Sequence, residues 1–204
     1  MSDEDTKNIL KKDLKFSDND IEKLEIFKNL LIDYNSKYNL ISKNTESSIW
    51  SRHILDSAQL LKYFDTNSKG DLADFGSGAG FPGLVIAIFN KNIQFHVKLY
   101  EKSPVKRVFL EIVKKQLKIN FKIIENIYDE DISSNIIVSR AFKKLEQIIN
   151  ISREIIKKPH KILILKGKNA QAEINNVSLP LNYSYKMENS MTNIDSKIII
   201  ITAL

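Results

Sequence analysis

Leu72 to Leu84 reads L-A-D-F-G-S-G-A-G-F-P-G-L, and its last nine residues hold four of the six glycines in the chain. Glycine costs backbone entropy wherever it stands, so this concentration marks a loop where the main chain turns tightly and lies close to a bound molecule. Leu72 to Phe75 suits a short buried strand, and Pro82 is pre-set for the first turn of a helix continuing through Val85, Ile86 and Ile88. The spacing predicts strand, glycine loop and helix, with free backbone N–H groups at the helix N-terminus facing whatever the loop holds.

Two ligand classes fit such a loop. Gly78, Gly80 and Gly83 satisfy G-x-G-x-x-G, the dinucleotide fingerprint, and Glu101 follows at the distance of a ribose-binding acid. This supports a nicotinamide-dependent oxidoreductase. The longer pattern is Asp74-x-Gly76-x-Gly78-x-Gly80. An acid at the loop mouth repels a pyrophosphate and suits an ammonium group. S-adenosylmethionine carries an ammonium, a sulfonium, a carboxylate for the N–H groups and a ribose for Glu101, with no phosphate, and is the expected cofactor. A tight turn with no ligand is the third possibility.

The chain has 204 residues, 43% of them hydrophobic, enough for one α/β domain with an extension. No window approaches ~18 uninterrupted apolar residues, and the start, M-S-D-E-D-T-K, is acidic and polar where a signal peptide is basic then apolar. A cytoplasmic protein without membrane attachment is expected, and a monomer. The absence of cysteine excludes disulfides, thiolate metal sites and a cysteine nucleophile, and three scattered histidines argue against a metal site. The net charge of +6 is uneven: residues 1–70 hold 11 Lys and Arg against 12 Asp and Glu, and residues 71–204 hold 20 against 13. A basic glycine-loop domain points to an anionic partner, nucleic acid first, although coding bias toward Lys, Ile and Asn would give the same excess.

Residues 1–16 suit a short helix. Ser17 and Asp20 form a capping-box pattern before Ile21, Leu24, Phe27, Leu31, Tyr34 and Tyr38 at helical spacing. After a polar connection, Asn39 to Ser48, a second helix runs to about Phe64, with Trp50, Ile54, Leu55, Ala58 and Leu61 inward. Arg52, His53 and Asp56 share its other face, Arg52 and Asp56 placed to pair. That face is either solvated or the border of a substrate surface. Asp65 to Asp71 marks a boundary between a helical N-terminal extension, residues 1–69, and a domain of residues 70–204.

Strand and helix then alternate. A strand through Phe95, Val97 and Leu99 ends at Glu101, and His96 points away from its apolar face. A helix capped by Ser103 turns Val105, Val108, Phe109, Ile112, Val113 and Leu117 inward, and its outer face, Lys106, Arg107, Lys114, Lys115 and Lys118, reads as solvated. Asn120 to Ile124 is a third strand, followed by Glu125, Asn126 and an acidic turn, Asp129 to Asp131. Ile136 to Ser139 is a fourth, ending at Arg140. A helix from Leu145 stops at Pro159, Lys161 to Leu165 is a fifth strand, and Tyr183 to Met187 with Lys197 to Thr202 suit an antiparallel pair. The pattern implies a mostly parallel, doubly wound sheet whose ligands lie beyond the carboxyl ends of the strands. Asp74 to Gly80, Glu101, Lys102, Glu125, Asn126, Ser139, Arg140, Lys166 and Gly167 would then share one rim.

Asn39-Leu40, Arg52-His53-x-x-Asp56-Ser57, the stretch Asp74 to Gly83, Glu101 with Lys106 and Phe109-Leu110, Ser139-Arg140-Ala141 and Lys166-Gly167 lie across roughly residues 25–175. Together they resemble the bacterial 16S rRNA guanine-N7 methyltransferases, also called the glucose-inhibited division protein B family. The resemblance implies a class I S-adenosylmethionine-dependent methyltransferase fold, Rossmann-like with a mostly parallel seven-stranded sheet. It implies S-adenosylmethionine as donor, the guanine at position 527 of 16S rRNA as acceptor, and free 16S rRNA or the small ribosomal subunit as partner. By the same resemblance Gly76 and Phe81 lie against the methionine part of the cofactor, in the loop with Asp74, Gly78 and Gly80. Glu101 takes its ribose, Glu125 and Asn126 flank its adenine, and Arg140 stands at the cofactor–substrate edge. The chain departs from the family where Ile124-Glu125-Asn126-Ile127 replaces a basic residue followed by acids.

Methyl transfer from a sulfonium is an in-line displacement, and alignment is the main demand on the protein. Guanine N7 presents an unprotonated lone pair and needs no general base, and the sequence offers no convincing one. Carbon-5 pyrimidine methylation would need the missing cysteine. Exocyclic-amine methylation uses an Asn/Asp-Pro-Pro-aromatic motif where this chain has Ser139-Arg140-Ala141-Phe142, and ribose-oxygen methylation, often lysine-dependent, stays open beside Lys166. Arg140 and Lys166 are the expected catalytic residues, positioning RNA through phosphate or guanine acceptor atoms, with Arg52, His53 and Lys102 extending that surface. A non-catalytic RNA-binding protein is the remaining alternative.

Overall fold

The structure, a computed structural model, describes residues 1–129 and 132–204. It opens with α1 (Asp3–Lys12) and α2 (Asp18–Tyr38), each started by a capping box, Ser2 with Asp5 and Ser17 with Asp20. Asn39, in the left-handed conformation, ends α2. The polar connection is wound into a 3₁₀ turn (Lys43–Ser48). The expected second helix is irregular: a π turn (Trp50–Leu55), α3 (Asp56–Ala58) and a 3₁₀ turn (Gln59–Tyr63). The widened π turn brings His53 inward beside Ile54 and Leu55, where a 3.6-residue period leaves it outside with Arg52.

Seven strands follow: β1 (Gly70–Phe75), β2 (Phe95–Tyr100), β3 (Lys122–Ile124), β4 (Ile136–Arg140), β5 (His160–Lys166), β6 (Tyr183–Asn189) and β7 (Lys197–Ala203). They lie in the order β3-β2-β1-β4-β5-β7-β6. β1 to β5 are parallel, and β7 runs antiparallel to both β5 and β6, so the sheet is mixed. Strand order reverses between β1 and β4, which opens a crevice at their carboxyl ends. α4 (Gly83–Phe89), α5 (Pro104–Leu117) and α6 (Leu145–Ile155) make the crossovers, and α7 (Ala170–Asn175) is a short helix the sequence reading does not anticipate.

One buried cluster joins α1, α2 and the irregular segment to α4, α5 and one face of the sheet. Phe27 of α2 meets Phe81 with ring centroids 5.2 Å apart, so the helical extension packs directly beneath the glycine loop. A second cluster, centred on Phe75, Ile137 and Ile164, lies under α6. The inward stripe of α5 differs from expectation: Val105 and Val108 are exposed, and Phe109, Leu110, Val113 and Leu117 are buried. The neighbouring edge strand, β3, has only three residues, too few to cover the first turns of the helix. Of the acidic turn, Glu130 and Asp131 lie outside the described residues. Among the described residues no helix is long and apolar enough to cross a membrane.

Candidate active site

The crevice beyond β1, β2 and β4 is a cleft of ≈ 510 Å³, a size that suits a small organic ligand. Its floor is the glycine loop. Gly76 (φ +74°) and Gly78 (φ +57°) line it, and a Cβ on Gly76 would stand 2.3 Å from the ring of Phe142, which closes one wall. Gly80 and Gly83 do not line the cleft. A Cβ on Gly83 would stand 2.3 Å from Leu99 and 2.7 Å from the Asp74 carboxylate, so this glycine lets α4 approach the sheet.

The loop does not hold out the free N–H groups expected of it. Gly76 and Ser77 both donate to the Tyr100 carbonyl, Gly80 and Phe81 both donate to the Ser77 carbonyl, and Leu84 donates to Gly80. Gly78 N–H donates to Glu101 Oε2 at 2.8 Å and Gly83 N–H to Asp74 Oδ2 at 2.9 Å. The end of the neighbouring strand takes the donors of Gly76, Ser77 and Gly78, which cannot be seen from the loop's own sequence, and Ser77, Gly80 and Asp74 take those of Gly80, Phe81, Leu84 and Gly83.

Asp74 lies beneath the loop rather than at its mouth. It is fully buried, its Oδ1 has no partner among the described residues, and burial pushes its carboxyl up to about 7. Glu101 does line the cleft, its two oxygens accepting from Gly78 N–H and Ser103 N–H, both at 2.8 Å. Exposed Lys102 stands beside it. Glu125 lines the far wall and pairs with Arg107 at 3.0 Å. Asn126 is turned away, its N–H donating to Asp129, and its neighbours Ile127 and Tyr128 face the cleft instead. Sequence reading misses these two; an apolar–aromatic pair just past a strand-end acid is the only local sign of them.

At the other end of the cleft Arg140 closes β4. Its Nη1 donates to the Arg52 carbonyl at 2.9 Å and lies 3.5 Å from Asp56 Oδ2, its Nη2 donates to His53 Nδ1, and its guanidinium sits 5.1 Å over the Phe81 ring. An arginine keeps its proton, so His53 Nδ1 accepts and Nε2–H donates to Thr45 Oγ1 at 2.8 Å. Burial, with Arg140 and Arg52 alongside, lowers the His53 pKa to about 3, and the ring is neutral. The expected Arg52–Asp56 pair gives way to Arg140–Asp56: the π turn alters the i,i+4 phase on which the first pairing depends, and the end of β4 brings the Arg140 guanidinium to Asp56. Asp56 Oδ1 also accepts from Gln59 and Thr192, both at 2.9 Å. Thr192 belongs to the β6–β7 connection, and no sequence signal links it to a residue 136 positions away.

Lys166 Nζ donates to the Lys143 carbonyl at 2.9 Å and to Glu173 at 2.8 Å. With Arg52 and Lys197 it lines a second depression of ≈ 320 Å³. Thr45, His53, Arg140 and Ala141 border both this depression and the cleft, forming the wall between them. The structure thus brings Gly76, Gly78, Phe81, Glu101, Lys102, Glu125, His53 and Arg140 to one cleft, and Arg52 and Lys166 to its neighbour.

A family model described as rRNA small subunit methyltransferase G matches residues 20–199. Ribosomal RNA small subunit methyltransferase G of Rickettsia felis is 40% identical over 185 residues, 90% of this chain and 94% of that protein. A SAM dependent methyltransferase from Aquifex aeolicus superposes with a TM-score of 0.60 at 12% identity, covering 79% of this chain and 96% of the other. M. jannaschii TYW2 in complex with AdoMet gives a TM-score of 0.53 at 15% identity, covering 76% of each chain. At such identities the two structures speak to the fold alone, which is that of the S-adenosylmethionine-dependent methyltransferases.

Proposed function

This chain belongs to the rRNA small subunit methyltransferase G family, and we propose that it transfers the methyl group of S-adenosylmethionine to N7 of guanine 527 in 16S rRNA, acting as a cytoplasmic monomer. The observation that carries the choice of acceptor atom is the state of the bases at the site. His53 is neutral with both ring nitrogens engaged, Glu101 accepts two N–H bonds, Glu125 is paired with Arg107, and Asp56 is paired with Arg140. A hydroxyl or exocyclic amine acceptor must lose a proton and needs a free base. Guanine N7 needs none.

The residues present fit the cofactor. A nicotinamide dinucleotide needs several free loop N–H groups for its pyrophosphate, and this loop has engaged most of its own on Tyr100, Ser77, Glu101 and Asp74; the single carboxylate of S-adenosylmethionine asks for fewer. Glu101 offers a carboxylate suited to ribose hydroxyls, Gly76 and Phe81 would border the methionine part, and Glu125, Ile127 and Tyr128 would flank the adenine. Asp74 and Gly80 serve by holding the loop, and Asn126 by shaping the turn beside it. When bound, S-adenosylmethionine supplies an electrophilic methyl on its sulfonium sulfur. Arg140, fixed in the wall between the two cavities, orients the guanine through O6 and leaves the N7 lone pair free for the methyl, while Lys166, Arg52 and Lys102 hold flanking phosphates.

The test is transfer of a labelled methyl group to unmodified 16S rRNA, offered free and in small subunits, with the modified base mapped. Label at a single guanine N7 is the expected result. Label on another atom, or none despite S-adenosylhomocysteine binding, moves the acceptor elsewhere and leaves the fold standing.

A further inference from the structure

At the opposite end of the sheet from the cleft, α2, the end of α4, the start of β2 and the end of α5 enclose a pocket of ≈ 480 Å³. Six lysines line it, Lys23, Lys91, Lys98, Lys114, Lys118 and Lys122, and no Asp or Glu among the described residues does. Among the described residues, Asp20 pairs with Lys91 and Asp71 lies 3.8 Å from Lys98, both carboxylates outside the lining. Apolar walls that include Phe95 and Phe121, the latter beneath Lys114, put these cations around a low-dielectric concavity, which focuses their field.

The pocket is joined to the active site by α5. Lys106 in its first turn lines the cofactor cleft, and Lys114 near its end lines the rear pocket. The 14-residue helix spans about 21 Å. Between these ends its outer side forms an open groove with an apolar floor of Val108, Ile112 and Ile123, bordered by Lys114, Lys115 and Lys118 and by Glu111 and Glu125, the latter paired with Arg107. The basic face that reads in sequence as merely solvated therefore runs from one cavity to another.

We propose that this lysine-lined pocket is a second docking site for the sugar–phosphate backbone of the rRNA, away from the methylated guanine, with the α5 groove as the path between them. The proposal rests on the rRNA reading above. Its cations are lysines throughout, point charges without the planar fork that reads a base edge, so the contact is independent of sequence and contributes affinity rather than selectivity.

The experiment compares three chains for binding to protein-free 16S rRNA over a range of salt: wild type, a pocket variant (Lys23→Gln, Lys114→Gln, Lys118→Gln) and a charge-matched control (Lys12→Gln, Lys157→Gln, Lys158→Gln). S-adenosylhomocysteine affinity serves as the measure of folding. The pocket variant should bind rRNA about tenfold more weakly at near-physiological salt, its slope of log affinity against log salt should fall by about 2, and the control should stay near wild type. Unchanged affinity and slope in a pocket variant that binds S-adenosylhomocysteine normally overturns the pocket, as does an equal loss in the control. A wild-type chain with no affinity for free 16S rRNA or for small subunits titrated in the same way overturns the rRNA reading itself, and the pocket with it.

Discussion

Arg140 Nη1 lies 3.5 Å from Asp56 Oδ2, and the carboxylate that receives it is itself gripped by Thr192 from the β6–β7 connection. The irregular helical segment holds the guanidinium directly, and a hairpin from the far edge of the sheet holds the Asp56 that receives it. An arginine remains charged in any of these surroundings, so Asp56 sets where the charge points rather than whether it exists. Asp56 is a positioning residue for Arg140, and the antiparallel hairpin serves the site as well as the fold.

Asp56→Asn should therefore hurt turnover more than cofactor binding. The change removes the paired counter-ion of a partly buried Arg140, which costs less than the ~3–5 kcal/mol of a fully buried pair broken outright, and less again where the amide oxygen still accepts. We expect kcat on rRNA to fall at least ~10-fold, with S-adenosylhomocysteine affinity held within about threefold. Arg140→Ala should fall further, ~100-fold or more, and Arg140→Lys should not restore it because a lysine cannot reach Arg52, His53 and Asp56 together. Steady-state kinetics with a separate cofactor titration checks this, and wild-type turnover in either variant would remove Arg140 from the mechanism.

His53 and Asp74 shift in opposite senses and should oppose each other in the pH dependence of stability. His53 has a native pKa of about 3 against an ordinary 6.5, so below pH 6.5 the unfolded chain binds the extra proton and stability is lost as pH falls. Going from pH 7 to pH 5 this amounts to about 2 kcal/mol. Asp74 has a native pKa of about 7 against 3.8, so between these values the native chain binds the extra proton and stability is lost as pH rises, again about 2 kcal/mol from pH 5 to pH 7.

Urea unfolding at pH 5, 6 and 7 separates the two. His53→Gln keeps an acceptor for Arg140 and a donor for Thr45, removes the first contribution, and should grow less stable as pH rises. Asp74→Asn keeps an acceptor for Gly83 N–H, removes the second, and should grow more stable over the same range. Parallel profiles for wild type and both variants would show that neither group titrates as its burial dictates. The pH–rate profile of wild type should also lack a limb near 6.5, since the imidazole carries no catalytic proton.

How much of this can be read from the sequence depends on whether the partner is local. Gly76, Gly78, Glu101, Lys102 and Arg140 are legible because a doubly wound sheet gathers its strand ends at one edge, and each strand announces its own end. The capping box at Ser17 is equally local. The burial of His53 is not, because a π turn shifts the helical phase and nothing in the composition of Trp50 to Leu55 announces it. The consumption of the loop N–H groups depends on the Tyr100 carbonyl of the next strand, and the grip on Asp56 depends on a residue from the end of the chain. Sequence places the ligands of such a site better than the supports that hold them.

Gly76 tests the cleft floor most directly. Its φ of +74° is open to glycine and strained for any other residue, and a Cβ there would stand 2.3 Å from Cδ2 of Phe142. Gly76→Ala should therefore carry two separable penalties, about 1–2 kcal/mol of backbone strain and the displacement of the Phe142 ring into the cleft. Pairing it with Phe142→Ala removes only the second. We expect Gly76→Ala to weaken S-adenosylhomocysteine binding at least ~10-fold, and the double variant to recover part of that loss while remaining less stable than Phe142→Ala alone. Calorimetric titration of the single and double variants, with urea midpoints for each, reads both quantities. Full binding in Gly76→Ala would mean that the cofactor does not rest on this glycine, and no recovery in the double variant would mean that strain alone, not the ring, governs the floor of the cleft.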